Sequence, residues 1–171
     1  MAHDIKTYPE PVLSQRAREV QEITPEIREL AREMAEIMYQ NEGIGLAAPQ
    51  IGIGLRLITV DVSGPGSRSS LMTLINPQIL DREGEVESEE GCLSVSGFRG
   101  KVTRAAAVTV KALDLEGNEV TLEADGLLAI CLQHEIDHLN GTVILDHASR
   151  LKRSLYEKKV SKWQKQRSDS D

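Results

Sequence analysis

Aromatic rings are scarce in this chain: one tryptophan, one phenylalanine and three tyrosines, 3% of 171 residues. Base-stacking nucleic-acid platforms need clustered rings, so that class is disfavoured. Cysteine is equally thin. Cys92 and Cys131 are too few for a disulfide framework and suit a reducing compartment. No apolar run reaches the roughly 18 residues that would read as a membrane span. The opening Met1-Ala2-His3-Asp4 lacks the basic-then-apolar order of a secretory leader, which favours a cytoplasmic setting. What remains is globular material, 40% hydrophobic and 27% charged. At this length a fold buries about 68–70% of its unfolded chain's surface, so no staples are needed. No internal repeat or long linker interrupts it, and residues 1–171 are expected to form a single domain.

The formal net charge of −7 is unevenly spread. Eight of the 20 bases (Arg150, Lys152, Arg153, Lys158, Lys159, Lys162, Lys165 and Arg167) fall within 150–167, where Glu157 is the lone acid. An acidic body thus carries a basic tail, read either as a solvated helix face or as a docking element for an anionic partner.

Thr24-Pro25 is a helix start, and Ile27, Leu30, Met34, Ile37 and Met38 repeat at helical spacing to about Gln40. The glycine-rich run from Gly43 to Gly54 reads as a loop after that helix. Strands are expected over Leu55–Val62 and Leu71–Asn76, the second ended by Pro77, and over the acidic 79–90. Val102–Leu113 is the longest strand candidate, turned by Gly117-Asn118 into Glu119–Glu123. Asp125 can cap a helix from Gly126 to about Leu139, apolar on most sides and therefore central, with Asn140-Gly141 closing it. A last helix covers 149–167, with Leu151, Leu155 and Val160 as its apolar positions. The fold class is α+β: antiparallel β-sheets around a central buried helix, with a C-terminal helix.

That central helix carries His134-Glu135-Ile136-Asp137-His138. Histidines four apart stand one turn above each other and can reach one ion, while the glutamate can accept a proton from water that the ion acidifies to a pKa of about 7. Two core histidines bonded to carboxylates or backbone would be the plainer reading, but a buried apolar helix seldom carries so many polar groups without purpose. The protease continuations of this motif fit poorly: Ile144 stands where a third histidine belongs, His147 comes three residues late, and Glu157 lies in the basic run. Cysteine is left as third ligand. Cys131 shares the helix among apolar neighbours, as structural thiols do. Cys92, in Glu90-Gly91-Cys92-Leu93-Ser94, would complete a Cys-His-His site with an open position; otherwise it is a reactive or exposed thiol. Gly43-Ile44-Gly45-Leu46-Ala47-Ala48-Pro49-Gln50 has the glycines of a dinucleotide fingerprint but not its strand-then-helix context. It reads better as backbone approaching a ligand, with Gln50 supplying an amide donor.

These three segments together, in order and spacing, resemble the peptide deformylases, hydrolases that remove the formyl group from new protein N-termini, and the similarity spans essentially the whole chain. The resemblance implies metal ligation by Cys92, His134 and His138, with Glu135 as general base and then acid. Gln50 and the backbone N–H of Leu93 would face the formyl oxygen. Gly45 and Gly91 would offer backbone bonds to the peptide, and Ile44, Leu127, Ile130 and Cys131 would line the methionine pocket. Glu90 would support the ligands and Arg99 would stand at the mouth. It further implies one divalent ion, Fe(II) in the cell, with zinc, nickel or cobalt tolerated. A monomer acting on N-formylmethionyl peptides is expected, with the basic helix touching ribosomal RNA. Where relatives often carry proline, this chain has Ser96, then Gly97-Phe98. Asp137 is expected to pair with an arginine such as Arg104. The competing readings are a metallopeptidase that cuts internal bonds and a binding protein that keeps only the fold.

Overall fold

Alternation along the strands decides where everything else packs. In a computed structural model that describes residues 3–170, the side chains of 168–170 excepted, β1 (Gly45–Ala47), β2 (Leu57–Val60), β3 (Met72–Glu83), β6 (Ala107–Leu113) and β7 (Glu119–Asp125) form one antiparallel sheet. Its strand order is β1-β2-β3-β6-β7, and β4 (Val86–Cys92) pairs with β5 (Val95–Arg104) in a separate hairpin. Met1 and Ala2, read above for a leader, lie outside the described residues.

Successive strand residues point to opposite faces. Ala47, Ile58 and Leu74 therefore join one apolar cluster, and their neighbours Leu46, Leu57 and Ile75 join another. The first cluster is completed by Ala129, Leu132, Ile136 and Leu139 of α3 (Gly126–Leu139), the second by Met34, Ile37 and Met38 of α1 (Pro25–Gln40). The sheet is thus sandwiched between two helices, and α3 is the central one. Both helix boundaries agree with the sequence reading. Thr24 accepts the Ile27 N–H at 3.3 Å with Pro25 in the first turn, whereas Asp125 makes no side-chain cap. A short turn, α2 (Gly64–Ser67), follows β2. No described helix is long and apolar enough to cross a membrane.

Besides the Asp125 cap, the acidic 79–90 is not one strand but is divided between β3 and β4 in two sheets, and four more expectations need correction. The run after Gly43 is not all loop: Gly45–Ala47 pairs with Ile58–Val60 before a 3-10 turn at Ala48–Ile51. Pro77 does not end β3. The ladder with β6 shifts between Ile75 and Gln78, so the missing proline N–H falls where no ladder bond is needed. Val102–Leu113 is two strands in two sheets. Between them, the backbone N–H and C=O of Ala105 are both held by the Gln133 side-chain amide of α3 (2.9 and 3.0 Å), which replaces a ladder partner and lets the chain cross over.

The fourth concerns the final helix, α4 (Arg150–Ser170), whose first turn is capped by Ser149 Oγ accepting the Lys152 N–H at 3.2 Å. Among its described side chains Tyr156 and Val160 are buried, packed with Val95, Phe98 and Leu145 in a third cluster. Leu151 and Leu155 point to solvent instead, 69% and 51% exposed.

Candidate metal centre and its cleft

The centre is assembled from three places. Helix α3 supplies His134 and His138, whose rings sit 5.1 Å apart in an edge-on arrangement. The end of β4 supplies Cys92, with Leu93-Ser94 making the tight turn into β5. The turn after β1 supplies Gln50.

One ligand atom from each of Cys92, His134 and His138 lies within 4.8 Å of the others, and Cys92 Sγ stands 3.4 Å from His138 Nε2. That spacing is near the edge of a tetrahedron with bonds of about 2.0–2.3 Å, and a thiolate with two imidazoles is a donor set for zinc or iron. Charge points the same way. Burial would lower the proton affinity of His134, but hydrogen bonding to Cys92 and the carboxylates of Glu135 and Glu90 outweigh it, so the pocket favours positive charge at this point. Burial keeps His138 neutral, and its Nδ1 is buried without a partner among the described residues. These residues fit a single divalent ion.

Around the ligands runs a chain of buried charge. Glu90 Oε1 accepts from His134 Nδ1 at 2.8 Å, which turns His134 Nε2 toward the site. Both Glu90 oxygens also accept from Arg104 (2.7 and 2.9 Å), and Arg104 reaches Asp137 at 2.6 Å. Burial pushes Glu90 up, yet the Arg104 and His134 hydrogen bonds prevail and hold it at about 2, so it stays ionised. His147, which had no role on the sequence, closes the outer end of this chain at 3.1 Å from Asp137.

Glu135 is different. It is 4% exposed, its Oε1 has no partner among the described residues, and burial raises its pKa to about 7. A carboxylate with no hydrogen-bond donor of its own is poised to take a proton. Gln50, 2% exposed, is oriented without ambiguity: its Oε1 accepts the Ala47 N–H at 2.9 Å, so its Nε2 donates toward Ser94 Oγ (3.2 Å) and Cys92 Sγ (3.5 Å). The N-terminal segment braces both neighbours, with Lys6 N–H donating to Gln50 C=O and Tyr8 N–H to Ser94 C=O.

A cleft of about 780 Å³ opens onto these groups. Ile44, Gly45, Gln50, Glu90, Gly91, Cys92, Leu93, Arg99, Leu127, Ile130, Cys131, His134 and Glu135 all line it, so the sequence candidates converge on one cavity. Only His138 lies behind the wall, 1% exposed. Cys131 is no ligand here. Burial raises its thiol well above the ordinary range, and it donates to Ile44 C=O at 3.6 Å. Glu90 lines the cleft, but both its oxygens are taken by Arg104 and His134. The sequence reading missed Asn41, Glu42 and Phe98 on the wall, and Ser94 beneath Gln50. Ser94 carried a signal, since it ends the same short motif as Cys92. Asn41 and Glu42 carried none.

This chain is similar to proteins already known. Residues 2–154 match the family described as Polypeptide deformylase. The protein named Peptide deformylase of Thermodesulfovibrio yellowstonii is 51% identical over 156 residues, 91% of this chain and 94% of that protein. The crystal structure of a peptide deformylase from Legionella pneumophila has a TM-score of 0.90 at 41% identity and covers 98% of each chain. That of peptide deformylase from Ehrlichia chaffeensis in complex with actinonin has a TM-score of 0.87 at 40% identity, covering 94% of this chain and 96% of that one.

Proposed function

The chain belongs to the polypeptide deformylase family, and from that premise we propose that the cleft binds an N-formylmethionyl peptide, with the residues around Cys92 cutting its formyl C–N bond. The enzyme is a metal-dependent hydrolase that releases formate from the N-terminus of new polypeptides. The observation that carries the site assignment is the meeting of Cys92, His134 and His138 within 4.8 Å beside an unpartnered Glu135.

When bound, the ion acidifies water and polarises the formyl oxygen. The chain's own groups do the rest. Glu135 takes a proton from the attacking water as its oxygen bonds to the formyl carbon. Negative charge then develops on the formyl oxygen, where Gln50 Nε2 and the Leu93 N–H donate to it. Glu135 returns the proton to the departing nitrogen, the C–N bond breaks, and a free amine leaves with formic acid, which gives up its proton to solvent as formate. Glu90 and Arg104 keep the His134 ring in register throughout. Ile44, Leu127, Ile130 and Cys131 hold the methionine side chain, Gly45 and Gly91 bond the peptide backbone, and Arg99 guards the mouth.

Gly45 makes a demand beyond its backbone. A Cβ there would stand 2.5 Å from Glu135 Oε2 and 2.8 Å from Cys131 Sγ. Gly45→Ala is therefore expected to displace Glu135 and lower kcat about 100-fold with the metal content unchanged, since misplacement by about 1 Å costs that much. Steady-state kinetics beside metal analysis read the two quantities separately.

The reading as a whole is tested by incubating the metal-loaded protein with formyl-Met-Ala and with casein. Formate from the first and no cleavage of the second is the expected result. Casein fragments without formate would establish the metallopeptidase instead. Anaerobic purification with metal analysis decides whether the ion is Fe(II), as we propose, or zinc, nickel or cobalt.

The proposal extends to the whole chain, a cytoplasmic monomer in which 1–171 act as one catalytic domain and α4 touches ribosomal RNA. Lys158, Lys159, Lys162 and Lys165 are all exposed, as phosphate binding requires. Changing these four to glutamine is expected to abolish co-sedimentation with ribosomes at low salt. Unaltered co-sedimentation would leave the tail a solvated face.

A further inference from the structure

A second cleft, of about 520 Å³, lies between the N-terminal segment and α4 and is lined by Tyr8, Pro9, Ser96, Tyr156, Val160 and Trp163, among others. Its volume is in the range of ligand sites. Three of the five aromatic residues of this ring-poor chain line it, and Phe98 packs behind them: Tyr156 lies 6.1 Å from Tyr8, 5.5 Å from Phe98 and 6.1 Å from Trp163, centroid to centroid. Yet the cluster is not closed. Trp163 remains 37% exposed, an indole left partly uncovered.

One strip of chain separates this cleft from the catalytic one. Ser96 lines both. Gly97 lines the catalytic side, and a Cβ there would stand 3.8 Å from the Trp163 ring, so the indole lies directly across the glycine. Phe98 faces the catalytic cleft and packs edge-on against Tyr156 behind it. The strip is fixed to α4, because Tyr156 Oη donates to Ser96 C=O at 2.8 Å. Ser96 and Gly97 are exposed along its crest.

A substrate whose first residue sits beside Cys92 must leave the catalytic cleft over one of its rims, advancing about 3.3–3.6 Å per extended residue. The Ser96-Gly97 rim borders the second cleft, whose wall sets Tyr8, Tyr156 and Trp163 beside Glu10, Gln164 and Arg167. We propose that the aromatic cleft is a distal subsite that holds the substrate peptide a few residues beyond its formyl-methionine, taking an apolar or aromatic side chain against Trp163 and Tyr156. Aromatic walls supply contact area at low entropic cost and dominate such recognition. The subsite rests on the deformylase reading given above.

Steady-state kinetics of the metal-loaded enzyme with formyl-Met-Ala and with formyl hexapeptides test it, the hexapeptides carrying phenylalanine or serine at the fifth position. The phenylalanine hexapeptide is expected to show a KM about tenfold below that of formyl-Met-Ala, with the serine hexapeptide between them. Trp163→Ala should bring the KM ratio of hexapeptide to dipeptide to about one, and Trp163→Phe should restore it. Trp163 is the chain's one tryptophan, so wild-type emission gives a second readout that needs no variant. The deformylated phenylalanine hexapeptide should shift it saturably, and deformylated Met-Ala should not. Equal KM values in the wild type, a ratio that survives Trp163→Ala, or emission blind to the hexapeptide would each overturn the subsite. Formate absent with every peptide would sink the deformylase reading instead.

Discussion

Glu135→Ala is expected to lower kcat for formyl-Met-Ala by about 10²–10⁴-fold, the range spanned by general acid–base catalysis, while the metal content stays that of the wild type. The side chain is buried, 4% exposed, and lies between the two histidines on α3, but it spends neither oxygen on holding them. Glu90, on β4, holds His134 instead. Loss of the proton carrier should therefore separate cleanly from loss of the ion, and a formate assay beside metal analysis of the same sample reads both. Glu135→Gln keeps the shape and should be as inactive as alanine. Turnover that persists in either variant would remove Glu135 from the proton path.

For Gln50→Ala the expected loss is about 10²–10³-fold in kcat, the cost of one donor to an oxyanion, with a much smaller change in KM. The hydrogen bond from Ala47 N–H makes this prediction sharper than usual, because it fixes which end of the amide faces the site. Gln50→Glu retains an oxygen for Ala47 but presents an anion where charge develops, so it should be the worse of the two. If Gln50→Glu matched the wild type, the side chain would be a brace for the turn and nothing more.

Much of the fold and of the site is legible in the sequence. The ligands on α3 are local: histidines four apart on a helix face one another in any fold, so the sequence alone announces the pair. Cys92 was harder, since its approach depends on where a hairpin docks, and only the company of Glu90-Gly91 and the family resemblance pointed to it. The strand boundaries failed where a distant side chain decides them. Nothing in Arg104-Ala105-Ala106-Ala107 marks a break; the break is made by Gln133, 28 residues on. Pro77 failed in the opposite sense, a breaker made harmless by a shift in the ladder. On α4 the apolar letters Leu151, Leu155 and Val160 do not share a face: Val160 is buried beside Tyr156, while Leu151 and Leu155 are exposed.

Gln133 and Asp137 are themselves four apart on α3, and they grip adjacent positions at the end of β5: Gln133 the backbone of Ala105, Asp137 the side chain of Arg104. The helix and the hairpin are therefore keyed together by two teeth. A slip of one residue would rotate the helix by about 100° and disengage both at once. His134 and His138 follow those teeth by one residue each, so the angular setting of the imidazoles is indexed to the strand that continues from the Cys92 turn, and the two halves of the ligand set cannot drift independently.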